Sequence, residues 1–503
     1  MKKIMFLLCF LASINGEDLG SILLKHKNYV LKGDIPKSVY IESEISAYGL
    51  KGKSKSWYIY PDKYYIEMDL GIMSQTEIFD GERAFSIDRN NKLEEKRGKK
   101  DINKSYLSAI MSSFAYLDYK KYDLKLKDYG KTTIENIECY KVGYRYKNSK
   151  EIKHCYNIET GKLEFVLSRE MGINVSEKRE DYTRYSSVMI PKISNVTLAL
   201  GMGTMKTVNS EVEINKTIPK DLFSIGKSSK DFYFLGNKNS SKSKIKIENG
   251  HIFLKAKINN SGYRYFIYDT GAMTTVLSKD LAEKLKLKID GKLPSLGAGG
   301  QSTTSLTKID SLRIGSLKFN SQSLAVMDFS SLQPYLPMKI NGLIGYDVAS
   351  RIVSEIDYSN SEIIFHDPEK FQKPEGFREI KLELYNKLIL VPAIVNGVEG
   401  KFYLDTGSNS GVDISSSFAK RAKIDLSNSK SSSIMGVGGA KTMKIKEGVE
   451  LLFGDKKCIT NVGVHSEKDG VFAMEEVDGI IGSKLFGSEK IITDYMNRVI
   501  YLK

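Results

Sequence analysis

Two short segments of this 503-residue chain carry the same residues in the same setting. Asp269-Thr270-Gly271 follows the apolar run Tyr265-Phe266-Ile267-Tyr268, and Asp405-Thr406-Gly407 follows Phe402-Tyr403-Leu404. One Asp-Thr-Gly triplet means little, since average composition yields one by chance in roughly one of ten chains this long. Two copies with matched flanks point to paired carboxylate chemistry. Like charges about 3 Å apart push two titrations apart, so such a pair holds one proton between them. The ionised member can take a proton from water while the protonated member polarises a carbonyl. That is general acid–base hydrolysis with no covalent intermediate. Thr270 and Thr406 bring hydroxyls able to rigidify the two loops, and Gly271 and Gly407 allow a tight turn and close approach. After the triplets the copies differ, with Ala272 in one and Ser408 in the other. A Ser408 hydroxyl donating to Asp405 would make Asp405 the more readily ionised partner.

For the two aspartates to meet, each must sit on an equivalent unit, and the chain does repeat itself. Asp405 lies 136 residues after Asp269. Gly297-Ala298-Gly299-Gly300 recurs as Gly436-Val437-Gly438-Gly439 after 139 residues. Gly342-Leu343-Ile344-Gly345 recurs as Gly479-Ile480-Ile481-Gly482, and Ile356-Asp357-Tyr358 as Thr493-Asp494-Tyr495, both after 137 residues. Four landmarks in one order at nearly constant spacing imply two copies of one β-rich unit. The apolar-apolar-Gly segments are expected to pack beneath the aspartate loops.

These residues resemble the aspartic peptidases. Tyr268-Asp269-Thr270-Gly271-Ala272 and Leu404-Asp405-Thr406-Gly407-Ser408, each with a later apolar-apolar-Gly, look like that family's signature. The short lobes look like its retropepsin-type branch, in which two subunits supply one Asp each; here both halves are fused in tandem over residues 245–503. The resemblance implies Asp269 and Asp405 as the catalytic pair. It implies Thr270, Gly271, Thr406, Gly407 and Ser408 as supporting residues. Gly297, Ala298, Gly299 and Gly300, with Gly436, Val437, Gly438 and Gly439, fall where that family has its substrate-covering flaps. It implies a peptide or protein substrate and a monomer with a pseudo-dimeric active site. Two other readings stand beside it. The aspartates could merely cap turns, or the fold could be a degenerate peptidase that binds envelope peptides or lipids without cutting them.

Other chemistry finds little support. The five histidines are scattered and no His-Glu-x-x-His occurs, so no metal is implied. Gly52-Lys53-Ser54 lacks the first glycine of a phosphate loop, because Ala47 stands there, and Ser302 breaks the glycine pattern begun at Gly297; no cofactor is implied. The charge of +15, from 76 Lys and Arg against 61 Asp and Glu, reads as a solvated surface. No basic run is interleaved with aromatics, which argues against a nucleic-acid partner. Attraction to a membrane surface or to lipoproteins is left open.

Residues 1–16 read as a secretory signal, with Lys2 and Lys3, an apolar run from Ile4 to Ile14, and small residues at Ser13 and Gly16. The protein is therefore expected in the periplasm, the cell envelope or outside the cell. Residues 17–235 alternate apolar and polar positions, as in Tyr64-Tyr65-Ile66-Glu67-Met68, which predicts an antiparallel β domain. A helix is expected over 107–117. Phe79-Asp80-Gly81-Glu82-Arg83, Tyr156-Asn157-Ile158-Glu159-Thr160-Gly161, Tyr182 through Pro191 and Asp221-Leu222-Phe223 resemble the bacterial lipoprotein-carrier fold. That resemblance implies an open half-barrel with a helix across its mouth. Residues 236–244 read as a linker, 245–370 as the first peptidase lobe and 371–503 as the second. The fold class is mainly β throughout. Cys139 and Cys155 face each other in a hairpin centred on Lys147, where export permits a disulfide worth about 3 kcal/mol; two small buried thiols are the alternative.

Overall fold

The computed structural model describes residues 18–503, apart from 171, 200, 202, 227–229, 466–471 and 473–476. The signal over 1–16 lies outside the described residues. Among the described residues no helix is long and apolar enough to cross a membrane.

The chain is mainly β, as its period-2 patterning predicts. Helix Leu19–Val30 opens it, with the Asp18 carboxylate accepting from the Ser21 N–H at 2.7 Å as N-cap. Thirteen strands among the described residues then form one antiparallel sheet. It consists of two meanders joined where the first strand, Ser38–Ala47, pairs with the last, Thr204–Ile214. Helix Lys99–Ser112 connects the two outer edges. It starts earlier than the sequence suggests and stops at Phe114, whose left-handed backbone (φ 65°) breaks it before the short turn Ala115–Asp118. Leu107 and Ile110 from this helix and Ile22 from the first pack on Tyr140, Val142, Tyr144 and Tyr156. The helices thus bury an apolar face of the sheet.

The cysteine hairpin is corrected in register. Cys139 pairs with Asn157 and Lys141 with Cys155, so the hairpin is centred one residue later than expected. The two cysteines are diagonal neighbours on one face, and both are free, buried thiols.

The repeated half forms two lobes of matching design. In each, the strand carrying the aspartate lies parallel to the apolar-apolar-Gly strand: Ile267 beside Leu343, and Leu404 beside Ile481. The alternation inside His251–Ile258 shows how a lobe is filled. Ile252, Leu254, Ala256 and Ile258 enter the main core, while Phe253 turns to the other face with Ile267 and Val276. A short helix follows each aspartate loop, Lys279–Lys284 and Ser416–Arg421, capped by Ser278 and Ser415 hydroxyls.

A six-stranded sheet joins the lobes. Its two central strands, Val353–Asp357 and Lys490–Asp494, are repeat mates paired antiparallel, with Val353 opposite Asp494 and Asp357 opposite Lys490. The outermost strands are also mates, Ser240–Lys244 and Arg378–Lys381. The segment 236–244 is therefore not a plain linker: residues 240–244 bond to Glu362–His366 as the first strand of the repeat. Its Ser/Lys composition hides this, because it is an edge strand with little side chain to bury. Phe232–Phe234, placed by sequence in the N-terminal domain, pairs with Leu317–Phe319 of the first lobe.

The N-terminal domain is fastened to the first lobe. Arg89 donates to the Ser323 carbonyl at 3.1 Å and to the Thr274 hydroxyl, and lies 3.6 Å from the buried Asp347 carboxylate. Arg351, 7% exposed, donates to Asp231 and to the Asn90 carbonyl. At the other end, the Lys292 N–H donates to the Tyr48 carbonyl at 2.8 Å, and Leu50 packs with Leu293 and Leu306.

Candidate active site

The turns after the two aspartate strands interlock. The Thr270 N–H donates to the Thr406 hydroxyl and the Thr406 N–H to the Thr270 hydroxyl, each at 3.0 Å. Each hydroxyl donates onward across the lobe boundary, Thr270 to the Leu404 carbonyl and Thr406 to the Tyr268 carbonyl, both at 2.8 Å. Both threonines are buried, so these four bonds satisfy groups that have no access to water.

The consequence is that Asp269 and Asp405 meet. Their carboxyl groups are within hydrogen-bonding reach of each other. Each also lies against the glycine of the opposite triplet: a Cβ on Gly271 would collide with the Asp405 carboxyl, and a Cβ on Gly407 with that of Asp269. Glycine is required here for close approach, not for a left-handed backbone.

Burial from bulk water raises both carboxyls above the usual range, and for Asp269 the neighbouring Asp405 charge raises it further, to well above. The pair therefore holds a proton more tightly than a free carboxylate does. Asp269 Oδ1 accepts from the Gly271 N–H at 2.9 Å. Asp405 Oδ1 accepts two, from Gly407 at 2.8 Å and Ser408 at 3.1 Å. Backbone donors favour the charged form at both, since the Ala272 N–H also acts on Asp269; of the two, Asp405 is raised less. The Ser408 hydroxyl is not the donor expected from the sequence. It is the Ser408 backbone that reaches Asp405, while its hydroxyl bonds to Ser410 Oγ at 2.8 Å.

Both Gly-x-Gly-Gly segments are hairpin tips. Ile289–Gly297 turns into Gly300–Ile314 in the first lobe, and Lys430–Gly436 into Gly439–Phe453 in the second. The tips touch through backbone: the Gly299 N–H donates to the Val437 carbonyl at 2.9 Å. Gly300, Gly438 and Gly439 have φ of 129°, 94° and 125°, a region that side chains avoid, and a Cβ on Gly297, Gly299 or Gly438 would strike the other tip. Ala298 and Val437 face the space beneath.

That space is a cavity of about 1440 Å³, lined by Asp269, Asp405, both hairpins and both lobe walls. Tyr48, Glu170, Ile173, Val175 and Leu198 of the N-terminal domain also line it.

Several contributors were not found by sequence reasoning. Asp347 accepts from the Thr275 N–H at 2.8 Å and from the Thr274 hydroxyl at 2.7 Å, fixing the loop that follows Asp269. Its repeat mate is Lys484, and that mismatch was the available signal. Arg89 and Tyr48 come from a domain with no repeat to compare.

The aspartyl protease family model matches residues 254–348 and again 391–485. No curated protein sequence matches the chain. Among solved structures, an aspartic proteinase from Irpex lacteus is 11% identical, covers 52% of this chain and 96% of its own, with a TM-score of 0.37. A Vibrio parahaemolyticus domain described as an outer membrane lipoprotein-sorting protein is 7% identical, covers 40% of this chain and 94% of its own, with a TM-score of 0.30.

Proposed function

We propose that this chain is an exported aspartic endopeptidase in which Asp269 and Asp405 are the catalytic pair. The observation that carries the reading is two carboxyls in contact on interlocked loops, beneath two touching flaps, inside two matches to the aspartyl protease family. Asp405, raised less than its partner, is the ionised member, and Asp269 is protonated. Asp405 takes a proton from water as its oxygen attacks the peptide carbon. Asp269 gives its proton to the carbonyl oxygen, and a tetrahedral diol results. On collapse the C–N bond breaks. Asp405 returns its proton to the leaving nitrogen and a diol hydroxyl gives one back to Asp269, so the pair ends with the single proton it began with.

Thr270 and Thr406 keep the two loops in register, and Gly271 and Gly407 leave room for the opposite carboxyl. The flaps, Gly297–Gly300 and Gly436–Gly439, cover the peptide and must part to admit it, since the Gly299–Val437 bond closes the roof. The cavity exceeds the roughly 300–1,000 Å³ of ordinary small-ligand sites, which suits several residues of a peptide rather than one end of it. The leader at 1–16 supports export and an envelope or secreted substrate.

A statine-type transition-state mimic tests the reading. It should block cleavage of a diverse peptide library competitively; cleavage insensitive to it would contradict the reading.

A further inference from the structure

The two lobes pair their strands alike, yet one position differs in charge. In the first lobe Val276 lies beside Leu343 on one side and Ala325 on the other. In the second, Asp413 lies beside Ile480, the mate of Leu343, and beside Gly463. Asp413 therefore stands where the first lobe has Val276. Both residues line the cavity that holds the aspartate pair, on opposite sides of it by the repeat's pseudo-twofold symmetry.

The surroundings differ accordingly. Val276 belongs to an apolar cluster with Ala325, Met327 and Leu343. Asp413 is 5% exposed, and its carboxylate lies over Gly463, where a Cβ would collide with it. Its one ionic partner among the described residues is His465, the mate of Met327, with Nε2 at 3.3 Å. That contact is not a hydrogen bond, and among the described residues Nε2 has no other partner; the ring stacks on Phe472 at 4.2 Å. Among the described residues no hydrogen-bond donor reaches this carboxylate, and a charge so placed on the cavity wall is paired most directly by a cation that enters the cleft.

We infer that the wall built by the second repeat takes a basic side chain of the substrate peptide, Lys or Arg, with Asp413 as its counter-ion. The matching wall around Val276 takes an aliphatic side chain at the symmetric position across the scissile bond. The inference rests on the cleft being a peptide-binding cleft, as proposed above. A charge-assisted hydrogen bond in such a site discriminates by about 10- to 100-fold.

The test is a positional-scanning peptide library cleaved by the full chain, by Asp413→Val, which installs the first repeat's residue, and by Asp413→Asn, which keeps the volume. Lys or Arg should exceed Leu by about 10- to 100-fold in kcat/KM at one position. Asp413→Asn should erase most of that ratio and Asp413→Val should invert it. In parallel, the Asp269→Asn chain is titrated with fluorescent Lys and Leu peptides, with and without Asp413→Val. A Lys preference in binding without any cleavage would sink the peptidase reading and keep this one. Cleavage with no basic preference, or a preference that survives Asp413→Val, overturns the inference. So does a lowered Tm in both Asp413 variants with an unchanged ratio, which is what a purely structural ion pair gives. Neither cleavage nor binding overturns both.

Discussion

Thr270 and Thr406 hold each other across the lobe boundary, each hydroxyl accepting the other's backbone N–H at 3.0 Å. Removing one hydroxyl strands two buried groups, a donor in the other lobe and the carbonyl it served. Thr270→Val should therefore cost about 2–4 kcal/mol by denaturant unfolding, and Thr270→Ser far less. Equal stability of Thr270→Val and wild type would mean the lobes are joined by the six-stranded sheet alone.

The raised Asp269 carboxyl fixes the sign of a pH effect on stability. A carboxyl whose folded pKa lies above its unfolded one stabilises fully below the unfolded value and loses that contribution as pH rises through the folded one. Asp269→Asn has no proton to lose. Its Tm should stay close to wild type at pH 4 and exceed it at pH 7. A variant less stable than wild type at pH 7 would contradict the burial and charge argument.

Ser408 separates two explanations for an ionised Asp405. Its backbone N–H, not its hydroxyl, reaches the carboxylate. Ser408→Ala should leave the acid limb of the pH–rate profile unmoved. A shift of that limb to higher pH would restore a role for the hydroxyl.

Arg89 ties the N-terminal domain to the loop behind Asp269 through Thr274 and Asp347. Arg89 is partly exposed and Asp347 keeps its Thr274 and Thr275 donors, so removing Arg89 costs less than breaking a fully buried pair. Arg89→Ala should lower Tm modestly and reduce kcat/KM. Unchanged kinetics would mean that the domain is a passenger.

Much of this arrangement is legible in the sequence because duplication acts as an internal comparison. Asp269 and Asp405, the flap glycines and the apolar-apolar-Gly strands stand out by recurring. What breaks the repeat is harder to read. Asp347, paired by position with Lys484, and Asp413, paired with Val276, look like ordinary divergence until the strands are aligned by their hydrogen bonds. The strand at 240–244 was hidden by a polar composition that suits an edge. The cysteine register slipped by one residue because spacing alone does not fix a hairpin's turn. The grip of Tyr48 and Arg89 on the first lobe depends on contacts 185 or more residues apart, which no local pattern encodes.

The central claim, that Asp269 and Asp405 form one hydrolytic site, is tested most directly by peptide-library cleavage between pH 3 and 8 with wild type, Asp269→Asn and Asp405→Asn in parallel. The expected result is cleavage by wild type alone, with both variants down by at least about 1,000-fold, because a group that works as half of a pair takes the whole activity with it. Cleavage that survives either substitution would place the chemistry elsewhere and contradict the account.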